Sequence, residues 1–243
     1  MCRECGCGRA TEHHHAGDEH HPHDHGRPVR RVAVEENLLA NNDRLAGEVR
    51  HRLDHEGIAA FNLIGSPGSG KTTLLEQTIR SLGTGVAISV LEGDQATDRD
   101  AQRIAASGCR VVQINTGAGC HLDASMVDRG LDLLQPPPRS LLFVENVGNL
   151  VCPALFDVGE RAKVVVMSVT EGEDKPLKYP HVFRAASAMV LTKADLIPHL
   201  AVDVGECIAN ARRINPHLVV FLVAALRGDG LDEWCAWLRL HLS

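Results

Sequence analysis

From residue 58 onward the chain repeats one pattern: a short, almost unbroken apolar run, then a longer stretch whose apolar positions recur every three or four residues. The runs fall at 58–64, 85–91, 110–115, 140–145, 163–169, 188–192 and 218–223. An unbroken Val/Ile/Leu run suits a strand buried on both faces, and the helical spacing between runs supplies the helices that cover it. The pattern predicts an α/β fold: a mainly parallel sheet with helices on both faces. Pro136-Pro137-Pro138 ends the helix expected over 121–134, because proline lacks the amide hydrogen a continuing helix needs. Ahead of the repeats, 30–56 carries Leu38, Leu45, Val49 and Leu53 at helical spacing, which predicts one or two amphipathic helices packed on the main domain. Residues 1–29 hold almost nothing that could enter a core and are expected to be disordered without metal. The expected organisation is a Cys/His-rich tail over 1–29 and one domain over 30–243, opening with the helical segment 30–56.

Between the first run and the first helical stretch stands Gly65-Ser66-Pro67-Gly68-Ser69-Gly70-Lys71-Thr72-Thr73. Strand, glycine-rich loop and helix, in that order, make a phosphate-binding P-loop. Gly68 and Gly70 let the backbone turn its N–H groups toward phosphate oxygens, where the helix dipole adds positive field. Lys71 is expected to reach the β- and γ-phosphates and Thr72 to offer its hydroxyl to Mg²⁺. Thr192-Lys193-Ala194-Asp195, at the end of the sixth run, resembles the guanine-reading string of GTPases. The Asp195 carboxylate can accept from the ring N–H and the exocyclic amine of guanine, a pair adenine lacks, while the Lys193 stem packs along the base. GTP is the expected substrate and GDP the product. Two further carboxylates stand at strand ends: Asp94 in Glu92-Gly93-Asp94, with Thr97 and Asp98 on the same expected switch loop, and Glu145 in Glu145-Asn146-Val147-Gly148. Each is a candidate Mg²⁺ ligand, with turn capping as the plainer alternative for Glu145. The catalytic candidates are therefore Lys71, Thr72, Asp94 and Glu145. No glutamine follows Gly148 where a hydrolytic water is usually held, so slow intrinsic turnover is expected.

Net charge is −6, with aromatics at 3%, and no basic stripe runs through the sequence. Such a surface is not expected to take nucleic acid. No apolar run reaches membrane-spanning length and the start carries no signal-like core, so a cytoplasmic protein without membrane insertion is expected. Thiols stay reduced there, which directs the 8 cysteines to metal or core positions. Cys2, Cys5 and Cys7 place three soft donors close enough to wrap one ion. His13, His14, His15, His20, His21, His23 and His25 follow and look like a weak metal store. Inside the domain, Cys120-His121 and Cys152 each lie just beyond a strand end. Two thiolates and one imidazole are one ligand short of a closed tetrahedral site; plain buried cysteines are the alternative. Cys109, Cys207 and Cys235 read as core, and His51 and His55 as surface.

Cys2-x-x-Cys5-Gly6-Cys7-Gly8, the histidine tract, residues 65–73, Glu92-Gly93-Asp94, Gly119-Cys120-His121-Leu122-Asp123, residues 145–153, Glu171-Gly172-Glu173-Asp174-Lys175-Pro176 and residues 192–196 together carry a family resemblance. Over nearly its whole length the sequence resembles the hydrogenase nickel-incorporation GTPase family, HypB. The resemblance implies a P-loop GTPase of the dimerising SIMIBI type, a homodimer promoted by GTP and metal. It further implies delivery of nickel to the precursor large subunit of nickel-iron hydrogenase alongside a partner nickel chaperone. By the same resemblance Cys2, Cys5 and Cys7 form a high-affinity nickel site, and Cys120, His121 and Cys152 bind nickel or zinc. The final guanine loop departs from the family in reading Ala224-Ala225-Leu226-Arg227, which leaves backbone contact from Ala225. Ser125 stands where some relatives carry a further histidine, which weakens the case for a second metal in the domain. A urease-type accessory GTPase shares the P-loop and guanine string but not the three-cysteine motif. A nickel or zinc storage protein with nucleotide-regulated release is the other alternative.

Overall fold

The structure is a computed structural model that describes residues 29–94, 98–117 and 119–242, with side chains from Asn37 onward. Cys2, Cys5, Cys7, the histidine tract and Thr97 lie outside the described residues. The long helix α1 (Val29–Glu56) leads into β1 (Ala59–Ile64), followed by α2 (Lys71–Leu82), β2 (Ile88–Asp94), α3 (Arg99–Ala105), β3 (Arg110–Asn115) and α4 (Ala124–Leu134). The second half runs β4 (Leu141–Glu145), α5 (Cys152–Leu155), β5 (Ala162–Ser168), α6 (Lys175–Lys178), α7 (Pro180–Ala185), β6 (Ala188–Thr192), α8 (Val204–Ile214), β7 (Val219–Val223) and α9 (Leu231–Arg239). The strands form one sheet in the order β3-β2-β4-β1-β5-β6-β7, and every pairing is parallel. The connections lead outward in both directions from β1, so the crevice beyond its carboxyl end is where an open sheet of this kind takes ligands.

Strand alternation sorts the core into layers. Phe61 and Leu63 of β1, Val90 of β2 and Phe143 of β4 pack with Leu74 and Leu75 of α2 and Trp234 and Leu238 of α9. Ala60, Leu91, Leu142 and Val144 point the other way, against Val49 and Leu53 of α1 and Val127 and Leu131 of α4. Toward the other edge that face is covered by Val182 and Phe183 of α7 and Cys207 and Ala211 of α8. Behind the P-loop, the Trp234 indole donates to Thr78 Oγ1 of α2 at 2.9 Å. Trp234 also stacks on Trp237 at 5.5 Å between centroids, and the His241 ring stands 4.7 Å from Trp237.

Three expectations shift in detail. The segment 30–56 is a single helix, and Leu38, expected to face inward, is 60% exposed. The buried stripe runs instead through Asn42, Ala46, Val49 and Leu53, because the cover supplied by α4 and the Asp157 loop reaches only to Asn42. β2 begins at Ile88, since Gly83–Gly85 forms a tight turn after α2, and Glu92-Gly93-Asp94 ends it as expected. α4 begins at Ala124, because the Asp123 carboxylate caps it by accepting from the Met126 N–H at 2.7 Å. Cys120 and His121 are thereby left in the loop ahead of the helix.

Candidate nucleotide and metal site

β1 is buried throughout and delivers Gly65 to the crevice, where the chain turns through the glycine-rich loop into α2. Gly70 has φ 95°, and a β-carbon there would stand 3.3 Å from Thr192 Oγ1, so this corner takes glycine. Lys71 is buried and its ammonium donates to the carbonyls of Gly65 at 3.1 Å and Ser66 at 3.4 Å. Burial lowers its pKa, an effect opposed chiefly by the negative charge of Glu145. Thr72 donates its hydroxyl to Glu145 Oε1 at 2.7 Å. The 145–148 turn packs directly on the loop: a β-carbon on Gly148 would meet Pro67 Cγ at 2.9 Å.

The register of β2 on β4 sets Glu92 beside Glu145. Both are buried, and Oε2 of each has no hydrogen-bond partner among the described residues. Burial, then the neighbouring charges of Glu145 and Asp94, pushes Glu92 up to about 8. Burial pushes Glu145 up to about 7 against the pull of its Thr72 hydrogen bond and Lys71. Two adjacent buried carboxylates, with a threonine hydroxyl on one and Asp94 at the rim, form the oxygen-rich donor set that a hard divalent cation such as Mg²⁺ takes. A pH dependence follows. Both carboxyls have folded pKa values above the unfolded value near 4.5, so from about pH 5 through about 7 for Glu145 and about 8 for Glu92 the folded state binds more protons and stability falls as pH rises. The thermal midpoint in chelator is expected to fall from pH 5 to pH 8, and added Mg²⁺ to restore it most at pH 8. A midpoint indifferent to Mg²⁺ at pH 8 would contradict this role for the pair.

A cavity of about 590 Å³ opens over the loop, lined by Gly68, Lys71, Thr72, Glu92, Asp94 and Glu145 among others. Beside it lies a second of about 240 Å³, lined by Gly70, Thr73, Thr192, Lys193, Asp195, Leu196, Ala225 and Leu226. Asp195 sits exposed at its mouth and Ala225 is buried in its wall. The Thr192 hydroxyl donates to the Ser69 carbonyl at 2.5 Å, and Lys193, with φ 57°, lays its ammonium on the Gly68 carbonyl at 2.8 Å. Their polar ends thus brace the P-loop, and the wall of the smaller cavity is left to Asp195, the Lys193 stem and the backbone near Ala225.

On the far side of the 145–152 segment, the donor atoms of Cys120, His121 and Cys152 all lie within 4.8 Å of one another. Ligands of a tetrahedral thiolate site stand about 3.8 Å apart, so small adjustments close this set on one ion. Cys120 Sγ is 3.7 Å from His121 Nδ1, and the imidazole lies against the Phe156 ring with centroids 4.0 Å apart. The interaction of the Cys152 thiol, as donor, with Cys120, together with burial, raises Cys152, while burial lowers His121 against the charge of Asp123. The triad is the one Cys/His/carboxylate cluster of this geometry among the described residues. Of the cysteines read as core, Cys207 and Cys235 are buried. Cys109 is only half-buried, because it precedes the edge strand β3, with its thiol pushed up to about 11 by burial.

Glu92, Asp100 and Arg103 line the larger cavity and were not singled out by sequence reasoning. Glu92 shares strand parity with buried Val90, and a carboxylate at a core position of a strand was the available signal. Arg103 pairs with Glu76 at 2.8 Å and donates to Thr73 at 3.2 Å, contacts between α3 and α2 that no local pattern announces.

Residues 59–221 match the family model described as CobW/HypB/UreG, nucleotide-binding domain. A hydrogenase maturation factor HypB from Rhizobium leguminosarum bv. viciae is 55% identical over 87% of this chain and 71% of its own length. The chain belongs to the HypB family. HypB from Archaeoglobus fulgidus has a crystal structure that superposes with a TM-score of 0.79 at 40% identity, covering 84% of this chain and 100% of that one. HypB from Helicobacter pylori, crystallised in complex with nickel, superposes at 0.78 with 36% identity over 83% of this chain and 95% of its own. The P-loop α/β fold expected from the apolar runs is thus the fold of the HypB family. No described helix is long and apolar enough to cross a membrane.

Proposed function

We propose that this chain hydrolyses GTP and uses the cycle to deliver nickel to the precursor large subunit of nickel-iron hydrogenase, acting in the cytoplasm as a homodimer with a partner nickel chaperone. One observation carries the reading: a carboxylate beside the P-loop, Glu145, and a thiol of the metal triad, Cys152, stand at the two ends of one short segment. In this reading Lys71 exchanges the Gly65 and Ser66 carbonyls for phosphate oxygens. Asp195 selects guanine, and the 145–148 turn senses the γ-phosphate. Thr72, with Glu145, Glu92 and Asp94 about it, holds Mg²⁺, which supplies charge neutralisation for phosphoryl transfer to water. Nickel, or zinc in its place, is cargo at Cys120, His121 and Cys152, completed by a fourth ligand from outside the protomer. Cys2, Cys5 and Cys7 supply the tighter nickel site.

The decisive experiment is hydrogenase activity in a strain lacking its own HypB, complemented with this chain and with Lys71→Ala. The parent is expected to restore activity at trace nickel and Lys71→Ala to fail. A parent that binds nickel yet restores nothing would favour storage over delivery. Deleting residues 12–25 is expected to lower nickel bound per chain while leaving GTP hydrolysis nearly unchanged, as equilibrium dialysis and phosphate release will show. Cys152→Ala is expected to weaken both metal binding in the domain and metal-promoted dimerisation, leaving nickel at Cys2, Cys5 and Cys7 in place. Sedimentation with and without metal checks the second effect; an unchanged dimer fraction would contradict it.

A further inference from the structure

The last residue of β4 and the one that follows it serve opposite faces of the sheet. Glu145 shares the face of α2 and accepts from Thr72. Asn146, one position on, shares the other face, as strand alternation requires. There its Oδ1 accepts from the backbone N–H of Leu122 at 3.0 Å and of Val147 at 3.1 Å. Its Nδ2 donates to Asn62 Oδ1 at 3.2 Å, and Asn62 Nδ2 donates in turn to Glu160 Oε1 at 3.3 Å. Glu160 is fixed by Lys163 and by the Val158 N–H at 2.7 Å. Asn62 and Asn146 are 0% and 1% exposed. Neither amide can flip. Two N–H groups face one end of this chain of bonds and a carboxylate faces the other, so reversing either amide would set donor against donor or acceptor against acceptor.

The Asn146 end of this chain holds the metal loop. Leu122 directly follows His121, so Asn146 grips the peptide next to a metal donor. A second asparagine of the same turn, Asn149, donates to the Cys120 carbonyl at 3.4 Å. Asn146 is also one peptide from Glu145, so a displacement of Glu145 pulls directly on Asn146. Meanwhile Asn62 sits in the middle of the central strand, where close packing leaves no room to follow. Asn146 carrying Leu122 with it, or parting from it, would give the metal loop two arrangements.

We propose that Asn146, oriented by Asn62, is the positioning residue that couples nucleotide state to the Cys120, His121 and Cys152 donors. This rests on the nucleotide and metal roles proposed above. Linkage makes the coupling measurable from the nucleotide side: metal must change the preference for GTP over GDP by the factor with which nucleotide changes metal affinity.

The test measures affinity of the full chain for GDP and for a non-hydrolysable GTP analogue, with and without saturating zinc. The coupling factor is the change zinc makes in the preference for the analogue, and the part lost in Cys120→Ser belongs to the domain donors. That part is expected to be about tenfold in the parent and to fall to within about twofold of unity in Asn146→Ala and in Asn62→Val. Asn62→Val touches neither site, so its GDP affinity without zinc is expected to stay at the parental level. A purely structural role would lower the thermal midpoint and weaken every state alike while leaving the factor intact. A factor retained in either folded variant overturns the proposal. A parent factor of unity overturns nucleotide–metal coupling itself, and the proposal with it. Should Asn146→Ala fail to fold, Asn62→Val carries the same decision.

Discussion

Asp195→Asn is expected to weaken GTP binding about 30- to 150-fold and to admit xanthosine triphosphate in its place. The carboxylate can accept from two donors on the guanine edge, and an amide presents a donor to one of them, so a charge-assisted pair becomes a mismatch. Losing contacts of that kind costs about 2–3 kcal/mol, which is the stated range of affinity. Position supports the expectation: Asp195 stands at the mouth of the smaller cavity, whose wall includes the Lys193 stem and Ala225. Thr192 and Lys193 are already committed to the Ser69 and Gly68 carbonyls, so neither can substitute for the lost carboxylate. Isothermal titration with both nucleotides decides the matter. A variant that binds GTP like the parent would remove the guanine assignment.

Lys71→Ala is expected to lower GTP hydrolysis by about a hundredfold to a thousandfold, because it removes a positive charge from a water-poor site where charge develops on phosphate oxygens. The lysine is buried beneath its own loop and carries a lowered pKa, so its charge is poorly solvated and gains from an anion. Nickel binding at Cys2, Cys5 and Cys7 is expected to persist in the same variant. Single-turnover phosphate release and nickel titration on one preparation test both halves. Loss of nickel along with hydrolysis would argue against a tail that binds metal independently.

The succession of strands and helices and the P-loop were legible because each rests on short-range patterning. Seven apolar runs could only be buried strands, and Gly65 to Thr73 needs no distant partner to be recognised. The carboxylate pair was half legible. Glu145 ends a strand in a familiar string, but Glu92 joins it only through the register of β2 on β4, which no local window contains. Cys120, His121 and Cys152 were named together, yet their approach to within 4.8 Å depends on the N-cap at Asp123, which starts α4 three residues later than its apolar spacing implied. Leu38 misled for a related reason: periodicity marks a helical face but not how far along it the neighbours extend. Asn62, Asn146 and Glu160 were invisible, since a buried amide inside an apolar run acquires meaning only when its partner, 84 positions away, is known.

The aromatic cluster behind the P-loop gives the molecule an optical signal of its own. Its 2 tryptophans are neighbours on α9, and nothing else in the chain competes with them for red-edge excitation. Trp234 is fully buried with its indole N–H on Thr78, so its emission wavelength and lifetime register the polarity and hydrogen bonding at the back of the P-loop helix. Trp237 lies between Trp234 and the His241 imidazole, a ring that quenches indole emission more strongly once protonated. A stopped-flow trace of unlabelled protein can therefore time the arrival of nucleotide at α2, and comparison with a thiolate-to-nickel charge-transfer band would order that event against metal capture.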